Sequence, residues 1–442
     1  MLGAIIGDIA GSRFEFNNHR SKDFELFAET CEVTDDSIMT LAVAKAIMEA
    51  GKYGCLPLEN GISNREYYRR VETLTIKTMP EIGRNYPHCG YGGRFGRWIF
   101  SECPQPYNSF GNGAAMRISP AAFAARSEAE ARILSEVITR VTHNHPEGLK
   151  GAEAVAVAIY MARNGAGKDA IRDRINTCYY QLDFTIDEIR DTYQFNETCQ
   201  ETVPQAIQAF WESTSFDDAI RTAISVGGDS DTLAAITGAI AEAYYEVPKE
   251  LEEKALSHLD ADLREIYDEW QSYLKTGPRT IVIREANPEE RELLFRDGYQ
   301  EWSKNRTLEE YVRDNSKEDH FGKRFVIDLE GKIVSSLIVL NLEAIMGKPI
   351  YGIGSVLTPK PHTGKGYATM LLKNCIKQIE KDEDALIFLF SDINPDFYKK
   401  LGFRLLPKEL QKSGKSPCMV RCGELDWHNL LEVSIDRMPA YF

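Results

Sequence analysis

The chain has 442 residues, and 52 Lys and Arg against 67 Asp and Glu give a formal net charge of -15, which excludes a sequence-independent grip on DNA or RNA through clustered basic side chains. That length exceeds what one hydrophobic core usually organises, and 43% hydrophobic with 27% charged residues is the composition of a soluble globular protein of two or three domains. The nine cysteines include no CxxC pair, and the nearest two, Cys418 and Cys422, lack partners at zinc spacing, so they read as reduced thiols.

The opening stretch MLGAIIGDIAGSRFEF is apolar but broken by Asp8 and Arg13 and has no basic leader, so it reads as neither signal peptide nor membrane span, and the expected location is the cytoplasm. VTDDS leads into SIMTLAVAKAIMEA, which predicts a helix over 37–50 with Ser37 as its cap and Gly51 as its end. Asp35 and Asp36 then sit at a helix N-terminus. Helical spacing with many small residues recurs in 148–163 and 232–247, where Ala and Gly allow helix axes to approach closely. Few segments alternate with period two, and residues 1–274 are expected to form an all-α domain.

At KTGPR, residues 275–279, Gly277 and Pro278 precede the strand-like TIVIREA, which sets a linker at 275–279 and a second domain over 280–442. RFVIDLEG, KIVSSLIVLN, IYGIGSVLT and ALIFLFSD are strand candidates there. Helical patterns near 288–304, 307–314 and 366–382 interleave with them, which predicts an α/β domain.

Three acidic clusters stand far apart in the first domain: Asp8 with Glu15, Asp35 with Asp36, and Asp229 with Asp231, with Thr34 and Thr232 adjoining. Hard divalent cations such as Mg²⁺ take carboxylate, hydroxyl and water oxygens, and the convergence of these clusters without a cation would force some carboxylates to take up protons. Gly227 and Gly228 fit a tight turn that presents Asp229, Asp231 and Thr232 from one helix start. Each cluster taken singly has a plain reading as a helix cap or a solvated helix end. Their joint occurrence points to a metal centre.

GxxxGD with a Glu seven residues after the Asp, then TDDS, GNGAAMRxSP, THxHPE and GGDSDT, in that order, resembles the ADP-ribosylglycohydrolase superfamily, which includes the dinitrogenase reductase-activating glycohydrolase. The resemblance implies an all-helical fold with two Mg²⁺ or Mn²⁺ ions at the base of a cleft, held by Thr34, Asp35, Asp36, Asp229, Asp231 and Thr232. It implies Glu15 on a mobile flap near the anomeric carbon, and Asp8 behind the ligands, orienting one of them or a water. Ser37 stands where many members have Thr. The implied substrate is an ADP-ribosylated protein side chain or small molecule joined through ribose C1″, with Glu15 or a metal-held aspartate such as Asp36 as general base or proton donor.

The Gly-rich segments 90–98 and 110–117 let backbone amides approach a pyrophosphate. Gly93, Arg94, Gly111, Asn112, Gly113 and Met116 are therefore expected to line the cleft, with Arg117 bracing the loop. His143 and His145 lack the i, i+4 spacing of a zinc helix and are expected to cap or line the cleft, His143 toward the adenosine end.

In the second domain VLTPKPHTGKGYATMLLKNCIKQI reads as strand, turn and amphipathic helix, and ALIFLFSDINPDFYKKLGFRLLP ends in the pattern YxxxGF. Together these resemble the GNAT superfamily of N-acetyltransferases. The resemblance implies acetyl-CoA, with its pyrophosphate on Gly364, Lys365, Gly366, Tyr367 and Ala368, and Tyr398 as general acid toward the departing thiolate. Thr363 stands where that loop usually has Arg or Gln, and Ser391 about where Asn is common. The amine acceptor is set by variable helices near 288–314 and not by the fold. The competing expectation is a non-catalytic ADP-ribose-binding or structural module, with acetyl transfer as the main activity.

Overall fold

The computed structural model describes residues 1–58, 64–382, 384–412 and 416–442. Two compact units divide the chain: Met1–Gly54 with Tyr67–Pro278, and Cys55–Glu66 with Arg279–Phe442. Cys55 joins the second unit through a parallel bridge to Thr280, with the Ile281 amide donating to Cys55 O at 2.9 Å. No helix among the described residues is long and apolar enough to cross a membrane.

The first unit is helical, as expected. Its centre is the pairing of the Leu2–Ser12 helix with the Ser230–Tyr244 helix, both buried along most of their length. Gly3, Gly7 and Gly11 recur every four residues and so form one stripe. A Cβ added to Gly3 would lie 2.0 Å from Gly238 O, so the two backbones touch where any side chain would hold them apart. Around this pair pack the Asp35–Gly51, Pro146–Arg163 and Cys199–Glu212 helices, whose buried faces are mainly Ala, Val and Ile.

The second unit is a mixed α/β sheet domain, again as expected. Its seven strands are β1 (Ile281–Glu285), β2 (Gly322–Leu329), β3 (Lys332–Ile345), β4 (Lys348–Leu357), β5 (Leu386–Phe390), β6 (Arg404–Leu405) and β7 (Cys418–Arg421). They run in the order β1-β2-β3-β4-β5-β7-β6, antiparallel except for the parallel β4–β5 pair. The connection between that parallel pair carries the Tyr367–Asp382 helix, as a crossover requires. One core cluster gathers Ile350, Leu386, Phe388 and Val420 from β4, β5 and β7.

Two element boundaries differ from the sequence reading. The helix expected from Ser37 begins at Asp35 with Thr34 as its cap, because the Thr34 side chain accepts the Asp36 amide; the Ser37 amide, inside the first turn, donates to Asp8 Oδ2 at 3.1 Å. The helical pattern near 288–304 opens as a 3-10 turn, Pro288–Glu290, capped by Asn287, before the Arg291–Trp302 helix.

Candidate metal centre and active site

Asp8 organises the floor of the site. It is fully buried and receives the Thr34 hydroxyl at 2.5 Å on Oδ1, and the Thr34 and Ser37 amides at 3.2 and 3.1 Å on Oδ2. These bonds pull the TDDS turn onto the first helix and turn Asp36 inward. From the opposite side Gly227 and Gly228, with φ of 77° and 70°, take the left-handed turn that glycine tolerates and deliver Asp229 and Asp231 at a helix start.

The result is two carboxylate groups that share Asp231. Asp8, Asp36 and Asp231 form one and Glu15, Asp229 and Asp231 the other, the oxygen atoms of each lying within 4.8 Å of one another. The Thr232 hydroxyl donates to Asp36 Oδ2 at 3.2 Å, and Asn112 Nδ2 donates to Asp229 Oδ2 at 2.6 Å. Asp36 Oδ1 is buried with no hydrogen-bond partner among the described residues.

Crowding buried negative charge favours the protonated forms. Burial outweighs the hydrogen bonds from Ser37 and Thr34, which act the other way, and pushes Asp8 up to about 6. Burial followed by the charges of Asp229, Asp8 and Glu197 pushes Glu15 to about 7, and burial followed by Asp8, Asp229 and Glu15 pushes Asp35 to about 8. Asp36 and Asp231 go well above the usual carboxylate range, and Asp229 is raised, burial leading in each case. An all-oxygen donor set that resists ionisation by itself, with one orphaned oxygen, fits divalent cations of the Mg²⁺ or Mn²⁺ type.

The remaining residues singled out from sequence fall as follows. Asp35 lies outside both tight groups, its Oδ1 3.1 Å from where a Cβ on Gly90 would be. Gly111 bridges Thr198, and the Asn112 amide donates to Glu197 O at 2.8 Å, so the GNG loop is pinned to the 194–198 loop. The buried His143 ring lies with Nε2 3.5 Å from the Cβ positions of both Gly111 and Gly113, beside Met116. Gly93 starts the Gly93–Ile99 helix; the exposed Arg94 stacks over Tyr107 at 4.9 Å and donates to its carbonyl. His145 is a cap, its Nδ1 accepting the Glu147 amide at 3.1 Å.

Arg117 braces the loop, donating to Thr142 Oγ1 at 2.6 Å and lying 5.0 Å over Phe95, while burial pulls its pKa down to about 10. Sequence reasoning missed Asn18 and Arg20. The Asn18 amide exchanges two 2.8 Å bonds with Gly228, and Arg20 donates to Val226 O at 2.8 Å and Tyr193 O at 2.6 Å. Nothing local distinguishes these two from ordinary loop residues; their partners are some 200 positions away.

In the second unit Gly364 and Gly366, with φ of 74° and 83°, precede the Tyr367–Asp382 helix, and the space where a Cβ on Gly364 would sit is open. Lys365 Nζ donates to Pro361 O at 2.7 Å, and Tyr367 is buried, so this loop presents backbone more than side chain. Tyr398 is buried between the rings of Phe397 and Phe403, and burial with the Asp392 charge pushes its phenol up to about 12. Ser391 donates to Ile393 O at 2.7 Å.

Fold and site define a helical protein with a buried, oxygen-only acidic centre, followed by a mixed sheet domain with a glycine turn at a helix start. Residues 1–280 match the family model for ADP-ribosylglycohydrolase and residues 263–406 that for an acetyltransferase (GNAT) domain. The chain belongs to the ADP-ribosylglycohydrolase family and carries a GNAT-type domain behind it.

Among its relatives is the ADP-ribosylarginine hydrolase Tri1 of Pseudomonas putida (strain GB-1), 28% identical over 61% of this chain and 76% of that one. Another is the ADP-ribosyl-[dinitrogen reductase] glycohydrolase of Rhodospirillum rubrum, 26% identical over 56% of this chain and 84% of that one. A solved ADP-ribosylglycohydrolase-related protein complex aligns at 21% identity with a TM-score of 0.44, over 62% of this chain and 96% of that one.

Proposed function

We propose that the first unit hydrolyses the glycosidic bond between ADP-ribose and an acceptor on a protein or small molecule, using two Mg²⁺ or Mn²⁺ ions held by Thr34, Asp35, Asp36, Asp229, Asp231 and Thr232. The observation that carries this reading is the pair of carboxylate groups sharing Asp231. Bound there, the ions supply positive charge toward the ribose 2″ and 3″ hydroxyls and the attacking water. Asp8, already holding three donors, is the positioning residue that fixes Thr34 and Ser37 on either side of Asp35 and Asp36.

In the reaction the bond from C1″ to the acceptor breaks as a water oxygen bonds to C1″. One water proton stays on the new hydroxyl and the other ends on the leaving group. Glu15, half-buried and raised to about 7, is suited to pass that proton, with Asp36 as the other candidate. Gly93, Arg94, Gly111, Asn112, Gly113, Met116 and His143 line the ADP-ribose cleft. The activities for which the two relatives are named support this substrate class.

For the second unit the reading is acetyl transfer from acetyl-CoA to an amine, with the pyrophosphate on the Gly364, Lys365, Gly366, Tyr367 and Ala368 backbone and Tyr398 protonating the departing thiolate. The open left-handed glycine turn at a helix start supports it.

The deciding experiment incubates the chain with arginine-, serine- and nucleobase-linked ADP-ribose substrates and follows free ADP-ribose. Release with Mg²⁺ that stops in EDTA, and is lost in Asp36→Ala and Asp231→Ala, is expected. Release indifferent to EDTA or to both substitutions overturns the assignment.

A further inference from the structure

The parallel strands β4 and β5 separate soon after they pair. Their last pair is Ile353 with Leu389. Beyond it β4 continues against β3, Gly354 facing Ile338, while β5 continues against β7, Phe390 facing Cys418. A crevice therefore opens at the carboxyl ends of the two strands, the end from which the chain leaves β4 for the glycine turn at 364–366. Open α/β sheets bind their ligands in crevices of this kind.

The ring of Phe442 lies in the fork. A Cβ added to Gly352 would be 2.7 Å from Phe442 Cζ, and one on Gly354 would be 3.4 Å from its Cδ2. On the other side the Phe390 ring stands edge-on to it at 5.1 Å. Gly354 and Phe390 are the first residues past the last β4–β5 pair, so the ring spans the opening from one strand to the other. Glycine inside a strand marks a place where something approaches the backbone closely, and here that something is a side chain of the same chain.

The segment that carries the ring is lightly held. Met438 is 2% exposed and belongs to the core of the sheet domain, but Tyr441, three residues on, is 40% exposed. The Tyr441 hydroxyl donates to Asp392 Oδ2 at 3.2 Å, and the Lys304 ammonium lies 4.6 Å over its ring. Contacts of these kinds facing solvent are weak. Asp392 is also the charge that reaches the Tyr398 phenol, so the segment lies beside the group given the proton-donor role above. Residues 439–442 fall outside the 263–406 span that matches the acetyltransferase model, so this contact is no part of that match.

We infer that residues 439–442 are a built-in competitor for the crevice of their own domain: Phe442 holds the place of the acyl end of acetyl-CoA, and the segment must swing out beyond Met438 before transfer. This rests on the acetyl-transfer reading above. The turn at Gly364 stays open, so the nucleotide end of the cofactor can dock while its acyl arm waits for Phe442 to leave. The affinity for acetyl-CoA is then reduced by the fraction of chains whose segment is out.

The test measures, by calorimetry, binding of acetyl-CoA and of 3′-phosphoadenosine 5′-diphosphate, which carries the pyrophosphate without the pantetheine arm. The proteins are the full chain, a chain ending at Met438, and Phe442→Ala, with folding followed by circular dichroism. Expected is acetyl-CoA binding about tenfold tighter in both variants, with equal nucleotide affinity in all three. Phe442→Ala keeps Tyr441 and its contacts, and it decides the matter if the shortened chain unfolds. Equal acetyl-CoA affinity throughout overturns the inference, and so does nucleotide binding that tightens in step. Weaker acetyl-CoA binding in the variants makes Phe442 a wall of the site and overturns it too. Each of these leaves the acetyl-transfer reading intact; no acetyl-CoA binding by any of the three removes both.

Discussion

Gly7 and Ala234 meet backbone against backbone: a Cβ on Gly7 would lie 2.0 Å from Ala234 O. The same register sets Gly11 against Asp231, where a Cβ would lie 2.5 Å from Asp231 Cα, and it leaves the Asp8 and Asp231 carboxylates within 4.8 Å of one another, so packing and site geometry are one problem. Gly7→Ala must push the two helices apart. The expected cost is about 3 kcal/mol or more, from overpacking a fully buried contact. Denaturant unfolding measures the cost, and cation titration of the folded fraction should show weaker binding. A fully stable variant with unaltered binding would refute this account of the helix pair.

The acidic centre gives the metal-free chain a pH dependence of definite sign. Asp8 at about 6, Glu15 at about 7 and Asp35 at about 8 lie above their ordinary values of 3.8, 4.5 and 3.8, so the folded chain holds more protons than the unfolded one. The stabilising contribution is complete below about pH 4 and disappears as pH rises through those raised values. In EDTA the Tm should therefore fall between about pH 5 and pH 8 by roughly 5 °C or more. Mg²⁺ or Mn²⁺ should raise it, and more at the higher pH, because the cation binds the deprotonated groups. Scanning calorimetry across pH with and without the ion checks both signs.

Asn112 is the amide between Asp229 and Thr202, donating to the first at 2.6 Å and to the second at 3.2 Å. Asn112→Asp replaces that donor with a like charge in a buried place. About 2–4 kcal/mol of stability should be lost at neutral pH. Part of it should return with saturating divalent cation, which offsets the added charge. Thermal unfolding with and without Mn²⁺ reads both effects, and an unaltered Tm would show that Asp229 does not depend on this amide.

The centre is legible in sequence because its parts are local signatures: TDDS and GGDSDT are each a turn feeding a helix, and a tight turn needs its glycines wherever it occurs. Asn18 and Arg20 are not, since their meaning lies in partners a third to a half of the chain away. The helix start at Asp35 escapes the sequence for a related reason. Ser37 is a good cap by type, but the Thr34 side chain, three residues earlier, accepts the Asp36 amide and starts the helix there, held in place by Asp8, 26 residues away. In the second unit β2 to β5 announce themselves by apolar runs, whereas β6 has two residues and β7 four, too few to show a period.

Tyr398 allows the two roles of one side chain to be separated. Its ring is buried between Phe397 and Phe403, and a phenyl ring without the hydroxyl keeps that packing, so Tyr398→Phe should unfold within about 1 kcal/mol of the parent chain. Its hydroxyl, raised to about 12, stays protonated throughout the neutral range and can give a proton to a thiolate there. If that is its work, acetyl-CoA turnover across an amine panel should fall roughly a hundredfold with acetyl-CoA affinity little altered. Equal turnover in the two proteins would leave Tyr398 as a packing residue and move the proton donor elsewhere.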